Sequence, residues 1–85
     1  MADKRSIEET IRQGLECSHV EVHGDDGAHF EALVVSPAFA GLARVRRHQL
    51  VYAALGDRMR EEIHALSMLT MTPAEFAATR AQSQQ

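Results

Sequence analysis

The chain predicts an α+β domain with a three-stranded mixed sheet and helices packed on one face, and three observations carry that prediction. Apolar and polar residues alternate on both sides of Gly24-Asp25-Asp26-Gly27, the pattern of two half-buried strands joined as a hairpin. Two Ser/Thr-x-x-Glu boxes, Ser6 to Glu9 and Thr72 to Glu75, stand near the two ends of the chain and mark helix starts. Between them, Phe39 to Leu55 repeats apolar residues at helical spacing and leads to an apolar segment at Ile63, as a strand reached by a helical crossover does.

Taken in order, the first helix is expected to begin at Ser6, whose hydroxyl and the Glu9 carboxylate would satisfy the unpaired backbone N–H groups of its first turn. Ile7, Ile11 and Leu15 give it an apolar stripe. Gly14 is its weak point, and it should end at Cys17 to Ser18. His19 to His23 alternates as a short strand with Val20 and Val22 inward and His19, Glu21 and His23 outward. The Gly-Asp-Asp-Gly run supplies turn chemistry, so the chain reverses into a second strand, His29 to Ser36.

Pro37 ends that strand by removing a ladder donor and opens a short helical turn through Phe39. Gly41 breaks the turn. A long helix then runs from Leu42 or Ala43 to Arg60, with Val45, His48, Val51, Tyr52, Leu55 and Met59 on one broad side and Arg46 and Arg60 pointing away. Turn and helix together have a helix-turn-helix outline, one shared with many folds that never touch DNA. Ile63 to Leu69 reads as a third strand, apolar on both sides. The Thr72-Pro73-Ala74-Glu75 box starts a last helix that includes Phe76 and fades before a mobile polar tail, Ala81 to Gln85. The element order is α-β-β-α-α-β-α, and Phe30, Phe39, Phe76, Val45 and Leu55 are assigned to the core.

Composition bounds the function. Eighty-five residues make one domain, residues 1–80 with the tail 81–85 behind it, and a chain of this size buries only about 60% of its unfolded surface. The single cysteine, Cys17, cannot close an internal disulfide, and no apolar run approaches the roughly 20 residues needed to span a bilayer. A cytoplasmic setting away from membranes is the expectation. A net charge of −3 argues against nucleic-acid binding by the whole surface. Gly41 to Arg60 nevertheless holds five arginines against one acid, a local +4. Arg44, Arg46 and Arg47 are therefore candidates for docking a partner or nucleic acid, beside the plainer reading of a solvated helix face. No catalytic constellation, phosphate-binding loop or zinc spacing is present, so a non-enzyme is expected.

Judged on its own, an isolated histidine is more often a surface or hydrogen-bonded group than a ligand, and His64 reads as a structural strand-end residue. His19 reads as an exposed strand residue and His48 as a helix residue near the sheet. Cys17, at a helix end where the dipole disfavours thiolate, reads as a packing residue.

Four motifs in one order change the weight of these readings: Gly27-Ala28-His29-Phe30; Phe39-Ala40-Gly41-Leu42 with Arg44 to Tyr52 and Leu55; Ile63-His64-Ala65-Leu66; and Thr72 to Phe76. From about Ile7 to Phe76 the chain resembles the BolA family, in particular its short IbaG/YrbA-type members. The resemblance implies a class II KH-like fold. RNA-binding domains of that class carry a Gly-x-x-Gly loop, but the one match here, Gly24 to Gly27, sits in the hairpin and holds two acids, which is the wrong charge for clamping phosphate.

The resemblance also implies a partner. BolA-like proteins pair with monothiol glutaredoxins and share a [2Fe–2S] cluster, with glutathione and the glutaredoxin cysteine on one side and two residues of the BolA side on the other. The first of these maps to His64. The second maps to His29 in the Gly-x-His-Phe motif, with His23 as the alternative. Two histidines do not complete the four ligands of such a cluster, so the isolated protein is expected without iron, as a monomer or weak homodimer. The alternative from the same family is a DNA-binding transcriptional regulator in stress response and cell morphology, acting through the helix-turn-helix-like segment.

Overall fold

The computed structural model describes residues 3–24, 26, 29–61, 63 and 65–83. The elements are α1 (Lys4–Gly14), β1 (His19–His23), β2 (His29–Val35), a 3₁₀ turn (Pro37–Phe39), α2 (Arg44–Leu55), α3 (Arg58–Glu61), β3 (Ala65–Met71) and α4 (Pro73–Ser83). The strands lie in the order β1-β2-β3. β1 and β2 run antiparallel with His23 opposite Glu31, and β2 and β3 run parallel with His29 opposite Ala65. The sheet is therefore mixed, and the α+β class holds.

One face of the sheet is packed. Val20, Val22, Phe30, Ala32 and Val34 meet Ile7 and Ile11 of α1 and Val51 and Leu55 of α2 in a single core closed by Phe39 and Ile63. α1 and α2 cross closely at Gly14, where an added Cβ would lie 2.8 Å from Ala54 Cβ and 2.9 Å from its Cα. The glycine that weakens the helix as a sequence is what lets two helices touch. On the other face, Phe76 of α4 comes down at one end, stacked on the His19 ring at 5.1 Å.

Several expectations shift, each for a local physical reason. α1 starts earlier, because Asp3 is the cap and accepts from the Ser6 amide at 2.9 Å. The Ser6 hydroxyl instead accepts from Arg58 at 2.7 Å. The long helix breaks at Gly56, whose φ of +59° ends α2 with its N–H on the Tyr52 carbonyl, and α3 restarts as a single turn. Val45, expected in the core, is 66% exposed, because the buried side of α2 follows Val51 and Leu55, and Val45 falls off that i, i+4 row. Phe76 is only half-buried.

β3 sits two residues later than expected and is apolar and covered on one side only. Ala65, Ser67 and Leu69 face outward, Leu69 being 55% exposed. Ile63 is buried before the strand begins. α4 runs through Ser83, into the segment expected as a tail. The Thr72 box forms as read: the Thr72 amide donates to Glu75 Oε1 at 2.9 Å, and the Glu75 amide donates to Thr72 Oγ1 at 3.1 Å.

Candidate functional site

The end of the open sheet face nearest the hairpin carries His23 and His29. In β1 and β2 the outward register row runs through His23, Glu31 and His29, so the two histidines are diagonal neighbours across the pair, roughly 7–8 Å apart by the usual sheet spacing. Together with Lys4, Gly24, Phe30, Ala65 and Ser67 they line an open depression of about 500 Å³. Gly24 permits the tight closure of this end, since a Cβ there would lie 2.5 Å from Phe30 Cδ1 and 2.7 Å from the His29 carbonyl.

His29 is held in one orientation. Its amide donates to Asp26 Oδ1 at 2.8 Å, and its ring Nδ1 lies 2.7 Å from Asp26 Oδ2. A carboxylate can only accept, so Nδ1 carries a proton, and in the neutral ring the lone pair is on Nε2. The side chain is 67% exposed. This arrangement, carboxylate to one ring nitrogen and the other free, is the one that orients histidine ligands at metal centres, so the donor chemistry of His29 fits a metal that accepts imidazole.

His23 is exposed on the same rim. His64, the first ligand implied by the resemblance, lies outside the described residues; in sequence it directly precedes Ala65, the register partner of His29. Among the described residues no group of three or more His, Cys, Asp or Glu side chains is assembled as a metal site. A cluster bound here would draw the rest of its ligands from elsewhere.

Other candidates are placed apart from this end. Cys17 is half-buried against the core, its thiol donating to the Leu15 carbonyl at 3.2 Å, and burial pushes its pKa up. That keeps it a thiol, the unreactive form. His19 pairs with Glu21 at 2.9 Å, and this hydrogen bond holds the Glu21 carboxyl below its usual range. His48 is half-buried near Met68 and Leu69.

The three arginines divide. Arg44 and Arg46 are exposed. Arg47 is a fastener: Nε donates to the Leu42 carbonyl at 2.8 Å, Nη1 to the Thr70 carbonyl at 3.3 Å, and the two Nη groups reach the Glu75 oxygens at 2.7 and 3.2 Å. Its side chain is only 14% exposed. That geometry locks α2 to β3 and α4 and removes one of the three cations from a nucleic-acid face. The helix-turn-helix outline is also reduced, since its first member is a single 3₁₀ turn.

Sequence reasoning missed Asp26, which it took only as turn chemistry. An aspartate three residues before a histidine at a strand start is the signal that could have found it, because Asp side chains commonly bond the backbone just ahead of them.

Comparisons agree with this architecture. Residues 11–75 match the family model for the BolA-like protein. Acid stress protein IbaG of Escherichia coli K12 is 35% identical over 79 residues, covering 92% of this chain and 93% of that protein. SufE-like protein 1 of Arabidopsis thaliana is 49% identical over 53 residues, 61% of this chain, but the match spans only 14% of that longer protein. The solved structure of a bolA protein homologue from Coxiella burnetii superposes with a TM-score of 0.76 at 44% identity, covering 91% of this chain and 99% of the other. With the family model matched over residues 11–75 and the IbaG relative covered almost end to end, the chain belongs to the BolA family and is of the IbaG type.

Proposed function

We propose that this chain is a non-enzymatic adaptor that pairs with a monothiol glutaredoxin and co-ligates a [2Fe–2S] cluster, for iron–sulfur trafficking or iron and redox sensing. The observation that supports it most is His29, exposed beside the hairpin with Nδ1 committed to Asp26 and Nε2 available. His64 is the proposed first ligand, and His29 is favoured over His23 as the second because His29 has a carboxylate of its own to set its tautomer. A cluster so held would have less negative charge and a higher potential than an all-thiolate one. The protein's part is to contribute two imidazoles, one of them His29, which Asp26 holds still at an open rim, so that a partner surface bringing thiolates can approach. Two histidines cannot hold the cluster unaided, which makes the partner and its glutathione part of the site.

The test is anaerobic reconstitution of the full chain with a monothiol glutaredoxin, glutathione, iron and sulfide, followed by size exclusion and visible circular dichroism. A coloured heterodimer is expected for wild type and is expected to be lost with His64→Ala while the far-ultraviolet spectrum stays native. A cluster spectrum unchanged by His64→Ala and by His29→Ala would remove the proposal.

A further inference from the structure

The two edges of the sheet are treated differently. At the β1 edge, the outward amide of Val22 donates to Glu8 Oε1 of α1 at 3.0 Å, and the strand is only five residues long. That edge is blocked in the way natural sheets block theirs. β3 is seven residues long and carries no charge. Its ladder to β2 uses alternate residues: the Met71 carbonyl accepts from the Ser36 amide on the β2 side, while the Thr70 carbonyl turns outward and accepts from Arg47. By the same alternation Leu66 and Met68 direct their amide and carbonyl groups to the free edge. Among the described residues no hydrogen bond reaches them there.

A groove of about 450 Å³ runs beside this edge. It is lined by Met68, Leu69 and Thr70, three consecutive residues of one strand, and a groove touching both faces of a strand must follow its backbone edge. The opposite wall is Leu42, just before α2, with Arg44, Arg47 and His48 of its first turns. The groove therefore offers unpaired backbone groups on one wall, aliphatic surface on its floor, and an exposed cation with no acid lining the groove beside it.

We propose that the free edge of β3 binds an extended acidic segment of a partner protein by strand addition, with the segment's backbone on Met68 and Leu66 and a carboxylate on Arg44. Main-chain pairing supplies affinity in this mode and the flanking side-chain pockets supply choice. A single-stranded nucleic acid fits less well, because among the described residues no Phe, Tyr or Trp lines the groove for successive bases to stack on. The groove is centred on Met68 to Thr70, further along β3 than the depression where His23 and His29 gather, and only the Leu66 end of the paired segment adjoins Ala65 and Ser67 of that depression.

The test is selection of a displayed random heptapeptide library on the full chain, then synthesis of the enriched peptide and titration followed by amide NMR and exchange. Expected are acidic peptides that slow exchange of the Leu66 and Met68 amides. Met68→Pro, which removes an outward donor that the β2 ladder does not use, should weaken binding about fivefold or more. Arg44→Glu, at an exposed site that leaves the fold alone, should weaken it by about two- to fivefold. The proposal is overturned if nothing enriches, if the enriched peptides are not acidic or perturb other amides, if a deca-deoxythymidylate probe protects the same amides more strongly than any peptide, or if concentration alone protects them through self-association.

Discussion

A single carboxylate decides how one histidine is used. With Asp26 accepting from Nδ1, His29 offers Nε2 outward; a carboxamide at that position could instead donate to Nδ1 and drive the proton to Nε2. If the proposed glutaredoxin complex forms, Asp26→Asn should therefore leave the fold intact yet weaken its cluster retention by about 10-fold or more, the size seen for partners that orient ligands. The decay of visible circular dichroism under a chelator measures it. If Asp26→Asn decays like wild type while His23→Ala collapses the complex, His23 is the second ligand. Gly24→Ala is a backbone counterpart: its Cβ would press on the His29 carbonyl, so it should perturb the same decay without touching any imidazole.

Among the elements, the α1–α2 crossing rests on one missing side chain. Gly14→Ala adds helix propensity but drives a methyl into Ala54, atoms that belong to the backbone and Cβ of the facing helix and cannot swing aside. We expect a net loss of about 1–2 kcal/mol in urea unfolding, the overpacking cost less a fraction of the propensity gain. Combining it with Ala54→Gly should recover part of that loss as a coupling between contacting sites; additive effects would show that the helices do not meet there. Capping is redistributed in the same region, with Asp3 on the α1 amides and Arg58 of α3 reaching Ser6 and Thr10.

For the whole molecule, the Arg47–Glu75 fork joins α2, β3 and α4, and it carries an acid signature. The Arg47 hydrogen bonds, aided by the Thr72 amide, lower the Glu75 pKa from 4.5 to about 2. A carboxyl whose folded pKa is depressed contributes stability that is present above its unfolded value and is lost as pH falls through the folded one. Wild type should thus lose this contribution between about pH 4.5 and pH 2. Glu75→Gln should lower Tm at neutral pH and converge with wild type as pH approaches 2. A Tm difference that stays constant down to that pH would show that the fork is not the source. Glu21, lowered by His19, works in the same direction.

The sequence by itself determined what is local. The order of elements, the pairing of β1 with β2 across the Gly-Asp-Asp-Gly run, the Thr72–Glu75 box and the outward row of histidines follow from caps and periodicities that neighbouring residues set among themselves. The family motifs carried the candidate ligands. Only the tertiary structure decided which side of α2 meets the sheet, and hence that Val45 is exposed and Arg47 is not, because a helical stripe broader than the available floor leaves its rotation to packing. It decided that Gly14 is a contact rather than a flaw, since that depends on Ala54 arriving from another helix. It decided the role of Arg47, whose partner Glu75 is 28 residues away, and the free edge of β3, because strand order is a property of the sheet and not of any strand within it.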